Sequence, residues 1–339
     1  MARRNGFAAF YVISLLVLVS MITACGGDSG VAMVAVTPTP VAQAVSSPTP
    51  PPQPKPTIGL VMKTLTNPFF VEMERGARQA ESELGVSLIV RTGAQETSVE
   101  QQITIVRDMI AQQVDAIVIA PADSIELIPV LKQAQDAGIV IVNIDNQLDP
   151  TIAEQQGLVS VPFISVDNEQ GAYTSAKYIA DQVSAPSKAV ILEGIRSAQN
   201  AQDRKNGALR AFAENSNIEL VASVSANWKI DEGYTVSKQI FEQHPDVTLV
   251  FAANDMMAFG ALRFLQEEAR SDVLVASFDA LEEAKKALAD GSLQVTVDQQ
   301  AAVQGYMGVA AAVQILRGET APVLTLVDTK LITKADLDQ

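Results

Sequence analysis

The chain is poor in the residues on which crosslinking and most catalysis depend. Of 339 residues, one is cysteine, one histidine and one tryptophan, and aromatics make up 5%. A single cysteine, Cys25, excludes an intrachain disulfide, so stability has to come from packing. The single histidine, His244, ends a helical pattern before Pro245 and has no metal-ligating company. A Ser–His–Asp site or a zinc site therefore lacks its parts. Positive charge is also scarce: 24 Lys and Arg stand against 39 Asp and Glu, a net charge of −15. That balance speaks against nucleic acid and against adsorption on anionic lipid. The first strand-like run leads into KTLTNPFF (63–70), not into a GxGxxG turn, and phosphate-loop motifs are absent. After Met21 no apolar run is long enough to span a bilayer.

What is present begins at the N-terminus. Arg3 and Arg4 precede an apolar run from Phe7 to Met21, followed by Ile22-Thr23-Ala24-Cys25-Gly26. A positive flank, a short apolar core and small residues make a secretory signal, too short to rank as a spanning helix. It resembles a bacterial lipoprotein signal, whose final cysteine becomes diacylated and N-terminal. Residues 1–24 are therefore expected to be removed and Cys25 to carry lipid, exporting the protein and holding it at the cell membrane, facing the periplasm or the exterior. Loss of two arginines takes the mature net charge to 22 minus 39, or −17. Residues 25–56 hold eight of the sixteen prolines among Thr, Ser, Val and Ala. This composition cannot repay the entropy of folding and reads as a linker. At ~3.1 Å per residue it would reach on the order of 90 Å.

From Thr57 onward the composition is that of a globular protein, with enough chain for two domains. TIGLVM (57–62), VSLIVR (86–91), DAIVIA (115–120) and IVIVNI (139–144) read as buried strands. AVILEG (189–194), IELVASV (218–224), VTLVFAA (247–253), VLVASF (273–278) and LQVTVD (293–298) repeat the rhythm, with helical patterns between. The run from Phe69 to Leu84 is an amphipathic helix closed by Gly85. Continuous apolar strands alternating with helices predict an α/β fold of parallel sheets covered on both faces, and ten or more strands predict two sheets in two lobes.

In such sheets, ligands sit beyond the carboxyl ends of the strands. Those exits hold Asn67, Phe69 and Phe70; Asp145, Asn146 and Gln147; Trp228; Asn254 and Asp255; Phe278 and Asp279; Asp298 and Gln299. Aromatics, amides and carboxylates together suit a saccharide. Its C–H faces stack on rings, and its hydroxyls both donate and accept. Each residue also has a plainer role. Phe70 fits a core position equally well, Asp145 fits a turn cap, and Asp279 fits a cap for the following helix. Asp255 reads as the N-cap of its helix, which leaves the ligand role to Asn254.

The stretches LVMKTLTNPFF (60–70), IAPADS (119–124), IVNIDNQLD (141–149), VDNEQGA (166–172), EGIRSAQNAQDRKNGA (193–208), SANWKIDEGY (225–234), FAANDMMAFGAL (251–262), SFDA (277–280) and TVDQQ (296–300) carry a specific resemblance. In order, they are similar to the type I periplasmic sugar-binding proteins, receptors of ABC importers and chemoreceptors, and especially to the D-allose-binding and ribose-binding types. The resemblance implies two Rossmann-like lobes joined by a three-segment hinge. It divides the chain into 57–165 plus 300–325 as the N-terminal lobe and 166–299 plus 326–339 as the C-terminal lobe. Crossings are expected near Phe163–Val166, Asp298–Gln299 and Pro322–Val327. It also implies a ligand site of Lys63, Asn67, Phe69, Phe70, Asp145, Trp228, Asn254, Phe278, Asp279 and Gln299. Lys63 falls where the allose type donates to sugar hydroxyls. Asn146 and Gln202 are also implied as ligand contacts, standing where the ribose type has two sugar-binding arginines. Their replacement argues against ribose, because an amide does not substitute for a guanidinium fork. Arg204 reads as a surface or interlobe partner of Asp203, outside the site.

The reading that follows is a lipid-anchored, monomeric receptor for a monosaccharide or related polyol that works with an ABC permease. It needs no cofactor or metal and performs no catalysis. Asp145 and Asp279 would be a candidate glycosidase pair, but a binding cleft accounts for them as well. A transcription-repressor effector domain would need a helix-turn-helix where the signal and linker stand. Two alternatives remain open: a sugar sensor serving a chemoreceptor or sensor kinase, and a receptor for a small cation.

Overall fold

The computed structural model describes residues 55–337. The signal of residues 1–24, Cys25 and the linker up to residue 54 lie outside the described residues.

Two six-stranded sheets account for the strands among the described residues. The first contains β1 (Thr57–Met62), β2 (Ser87–Thr92), β3 (Ala116–Ile119), β4 (Val140–Ile144), β5 (Phe163–Val166) and β11 (Leu324–Val327), in the order β11-β5-β4-β3-β1-β2. The second contains β6 (Ser187–Glu193), β7 (Ile218–Ser225), β8 (Val247–Ala252), β9 (Leu274–Ala276), β10 (Val295–Asp298) and β12 (Lys330–Thr333), in the order β12-β10-β9-β8-β6-β7. Pairing is parallel throughout except for β12, which runs antiparallel to β10. The matching orders make the two lobes versions of one doubly wound unit. Central strands such as β3 are buried at every position, as expected where helices cover both faces.

The first helix shows how local chemistry sets the frame. α1 (Pro68–Leu84) has Asn67 as its N-cap, with Oδ1 accepting from Phe69 N at 3.1 Å, and Pro68 in its first turn. It stops at Gly85, whose φ of 72° gives the left-handed turn that glycine adopts without a Cβ clash. Its face of Phe69, Phe70, Met73, Ala77 and Ala80 is buried under the first sheet's core.

The chain crosses between lobes three times. After β5 it enters α5 (Asn168–Ala180), whose Ser175 Oγ donates to Ser277 O of the second lobe. After β10 it passes through Gln299 and Gln300 into α10 (Ala301–Leu316), which packs on α1 and the first sheet. After β11 it passes through Asp328 and Thr329 to β12. The boundary expected at 165/166 falls inside β5, with the crossing at Asp167 beyond it, and the one expected at 325/326 falls inside β11. That four-residue edge strand, paired on one side and following Pro322, reads in sequence as a connector. The crossing is at 328–329.

Candidate ligand site between the lobes

A cavity opens where the carboxyl ends of both sheets face each other. Lys63, Asn67, Phe69, Phe70, Glu96 and Asp145 line it from the first lobe, and Asn200, Arg204, Trp228, Asn254 and Asp279 from the second, with Gln299 at a crossing. Its enclosed space is about 20 Å³, room for little more than one water, so the lining side chains have to part before a ligand enters.

On the first lobe, Lys63 leaves β1 and pairs with Asp145 Oδ2 at 2.8 Å, with both side chains buried. Its Nζ lies 5.7 Å from the centroid of the Phe70 ring. Phe69 and Phe70 meet edge to face, with centroids 5.0 Å apart. Asn67 Nδ2 donates to Glu96 Oε1 at 2.9 Å, so the helix cap also orients a cavity carboxyl. Burial pushes the Glu96 carboxyl up to about 7, against the pull of Lys63.

On the second lobe the organising residue is Arg204, in α6 (Gln199–Ala213). It is 3% exposed. Its Nε donates to Asn168 Oδ1 at 2.9 Å, one terminal nitrogen to Ala253 O at 2.9 Å, and the other to Gln299 Oε1 at 3.2 Å. Asp279 Oδ1 lies 3.5 Å from it and accepts from Gln299 Nε2 at 2.6 Å. Burial raises the Asp279 carboxyl and lowers the Arg204 guanidinium, and their mutual attraction opposes both shifts. Trp228 is buried, and its indole lies so close over Gly194 that a Cβ there would come within 2.0 Å of the ring. Among the described residues its Nε1 has no hydrogen-bond partner.

The strand exits hold strained backbone. Asp145, Asn227, Trp228, Asp279 and Ala280 are five of the nine non-glycine residues with positive φ among the described residues. Such conformations persist where their surroundings impose them, typically at functional sites. Asp255 supplies one restraint. It accepts from Ser277 Oγ at 2.5 Å, Thr296 Oγ1 at 2.8 Å and Leu281 N at 2.8 Å, and so holds the loop carrying Asp279. Burial pushes Asp255 up to about 6, although those three donors oppose the shift.

Nine residues expected from the sequence line the cavity together: Lys63, Asn67, Phe69, Phe70, Asp145, Trp228, Asn254, Asp279 and Gln299. Three do not. Gln202 turns away and donates to Arg196 O at 2.6 Å. At about 100° per residue it lies on the far side of α6 from Asn200, whereas Arg204, one turn on, shares that residue's face. A guanidinium is thus present in the cavity, and the argument against ribose from missing arginines loses half its basis. Phe278 is fully buried behind Arg204, whose guanidinium carbon lies 3.9 Å from its centroid. It supports the arginine instead of walling the cavity. Asn146 is fully buried and bonds Pro121 O, Ser124 Oγ and Asn200 N. The cap of α8 (Asp255–Glu267) is Asn254, not Asp255, with Oδ1 accepting from Met257 N. Asn254 therefore caps and lines the cavity at once.

Glu96, Asn200 and Arg204 were not expected. Glu96 follows β2, whose exit, like that of β3, offers no candidate in the sequence pattern. Helical spacing was the signal for Asn200 and Arg204. No group of His, Cys, Asp or Glu among the described residues is arranged to hold a metal ion, and no described helix is long and apolar enough to cross a membrane.

Two lobes with matching sheets and a polar, aromatic-edged cavity between them define a two-lobed solute-binding protein. Residues 58–320 match the periplasmic binding protein domain model, and the chain belongs to that family, of the type I sugar-binding kind. It is 39% identical over 266 residues to the D-ribose/D-allose-binding protein of Pseudomonas aeruginosa, covering 78% of this chain and 83% of that protein. It is 34% identical over 278 residues to the ribose import binding protein of Escherichia coli, covering 82% and 90%. A crystal structure of an ABC transporter periplasmic solute-binding protein from Actinobacillus succinogenes with bound D-allose superposes with a TM-score of 0.79 at 37% identity, covering 84% of this chain and 99% of that one. These relatives are sugar-binding transport proteins, not enzymes.

Proposed function

We propose that the chain is an extracytoplasmic receptor, anchored through lipid on Cys25, that closes over one monosaccharide and presents it to an ABC permease. The observation that carries the reading is the cavity's chemistry. Both lobes supply amides, carboxylates and an aromatic edge to one cavity, and hydroxyls that donate and accept satisfy such a set. Lys63 and Arg204 inside it oppose a cationic ligand. Aldoses of the ribose and allose kind fit the reading best, in line with the names of the relatives. The ligand favours the closed state because only that state offers contacts from both lobes. The lipid keeps the receptor near its membrane partner and raises its effective concentration there.

Calorimetric titration with D-ribose, D-allose and a cationic control such as choline tests the ligand class. One aldose should saturate the protein at one site and choline should not; binding of choline alone would overturn the sugar reading. For the anchor, Cys25→Ala should abolish incorporation of labelled fatty acid and release the protein from membranes. Unchanged labelling would remove Cys25 from that role.

A further inference from the structure

The helix that carries Arg204 begins without a cap of its own. Ala198, at the N-cap of α6, makes no side-chain cap bond, although the first N–H groups of a helix have no partner within it. Two of them are met from the other lobe. Gln199 N donates to Ser124 Oγ at 3.0 Å, and Asn200 N donates to Asn146 Oδ1 at 3.2 Å. Ser124 N in turn donates to Ser197 O at 3.1 Å. The receiving side is preorganised. Asn146 Nδ2 is held by Pro121 O at 3.1 Å and Ser124 Oγ at 3.3 Å, which leaves its Oδ1 facing α6. Ser124, Asn146 and Asn200 are all buried, yet neither Ser124 nor Asn146 lines the cavity.

We infer that Ser124 and Asn146 form an interlobe latch that caps α6 only in the closed form and sets ligand affinity without touching the ligand. When the lobes part, the amides of Gln199 and Asn200 turn to water. Each latch bond then favours closure by its net worth, about a two- to tenfold effect. Asn146 stands at a strand exit where its resemblance suggested a ligand contact; in this chain the position holds the lobes together. The inference uses sugars as probes and in that respect rests on the proposed function.

The test compares wild type, Ser124→Ala, Ser124→Thr, Asn146→Ala and Ala198→Ser in the full chain. It reads affinity for D-ribose and D-allose, dissociation rate, melting temperature without sugar, and amide exchange across residues 196–204. Ser124→Ala and Asn146→Ala should each weaken binding about two- to tenfold through faster release, and Ser124→Thr should restore it. Ala198→Ser gives α6 its own cap in both states, so affinity should fall while the sugar-free melting temperature holds or rises. Wild-type affinity in both alanine variants overturns the latch. So does a loss of affinity matched by a drop in sugar-free melting temperature, which marks a role in folding. If neither sugar binds wild type, the sugar reading fails separately. The latch is then decided by the closed fraction of the sugar-free chain, read from the distance between fluorescent labels on the two lobes: a lower fraction in both alanine variants supports it, and an unchanged fraction overturns it.

Discussion

Asp279 and Arg204 are the two charges on which the second lobe's half of the site turns. Each is buried, and each is tied to Gln299 as well as facing the other. Removing one partner of such a pair strands the other, at a cost of about 3–5 kcal/mol. Asp279→Ala should therefore abolish sugar binding and lower the melting temperature; wild-type affinity would remove Asp279 from the site. Gln202→Arg should leave sugar preference unchanged, because position 202 faces Arg196, not the cavity. A shift toward ribose in that variant would put the side chain back in the site. Glu96 predicts a pH dependence. Its pKa in the fold is about 7, above the 4.5 of a free glutamate. A group raised in this way stabilises most below the free value, and its contribution is lost as pH rises through the folded one. Stability of the closed protein should decline from about pH 5 to 8, and Glu96→Gln should flatten that decline; an unchanged profile would show that another group titrates. Most of this site was legible because its residues sit at strand exits, where chemistry can be read one position at a time. Arg204 was not, since inside a helix only the 3.6-residue period tells which of Gln202 and Arg204 faces in.

Among the elements, the contact between α1 and α10 shows what strand and helix patterns alone leave out. A Cβ on Gly76 would lie 1.7 Å from Ala302 O, and one on Gly305 would lie 2.1 Å from Met73 O. The two helices cross backbone to backbone through paired glycines. By helix propensity alone, Gly305→Ala stabilises by about 0.5–1 kcal/mol. At this crossing it should instead destabilise by about 1–3 kcal/mol, as overpacking does. Urea unfolding decides between the signs, and a stabilised variant would show that the crossing yields. The amphipathic period of α1 was plain in the sequence, but its partner, more than 200 residues away, was not. Core strands such as β1 and β8 were equally plain, because burial on both faces demands unbroken apolar runs. The edge strands β11 and β12 are half-solvated and short, so their patterns resemble loops.

For the whole molecule, three crossings at 167, 299–300 and 328–329 connect two lobes whose facing surfaces carry both the cavity and the latch. Ligand binding to the closed form alone adds stability by mass action, about 2.7 kcal/mol at a hundredfold excess over Kd. Saturating sugar should then raise the melting temperature by a few degrees, while a sugar that does not bind leaves it unchanged. The most direct test of the account is a titration of the full chain with D-ribose and D-allose, followed through Trp228, the sole tryptophan, which lines the cavity and whose indole N–H has no hydrogen-bond partner among the described residues. A saturable change in its fluorescence with one of these aldoses, lost in Asp279→Ala, is the result the account predicts. Folded protein whose tryptophan responds to neither sugar, and which binds neither by calorimetry, would contradict it.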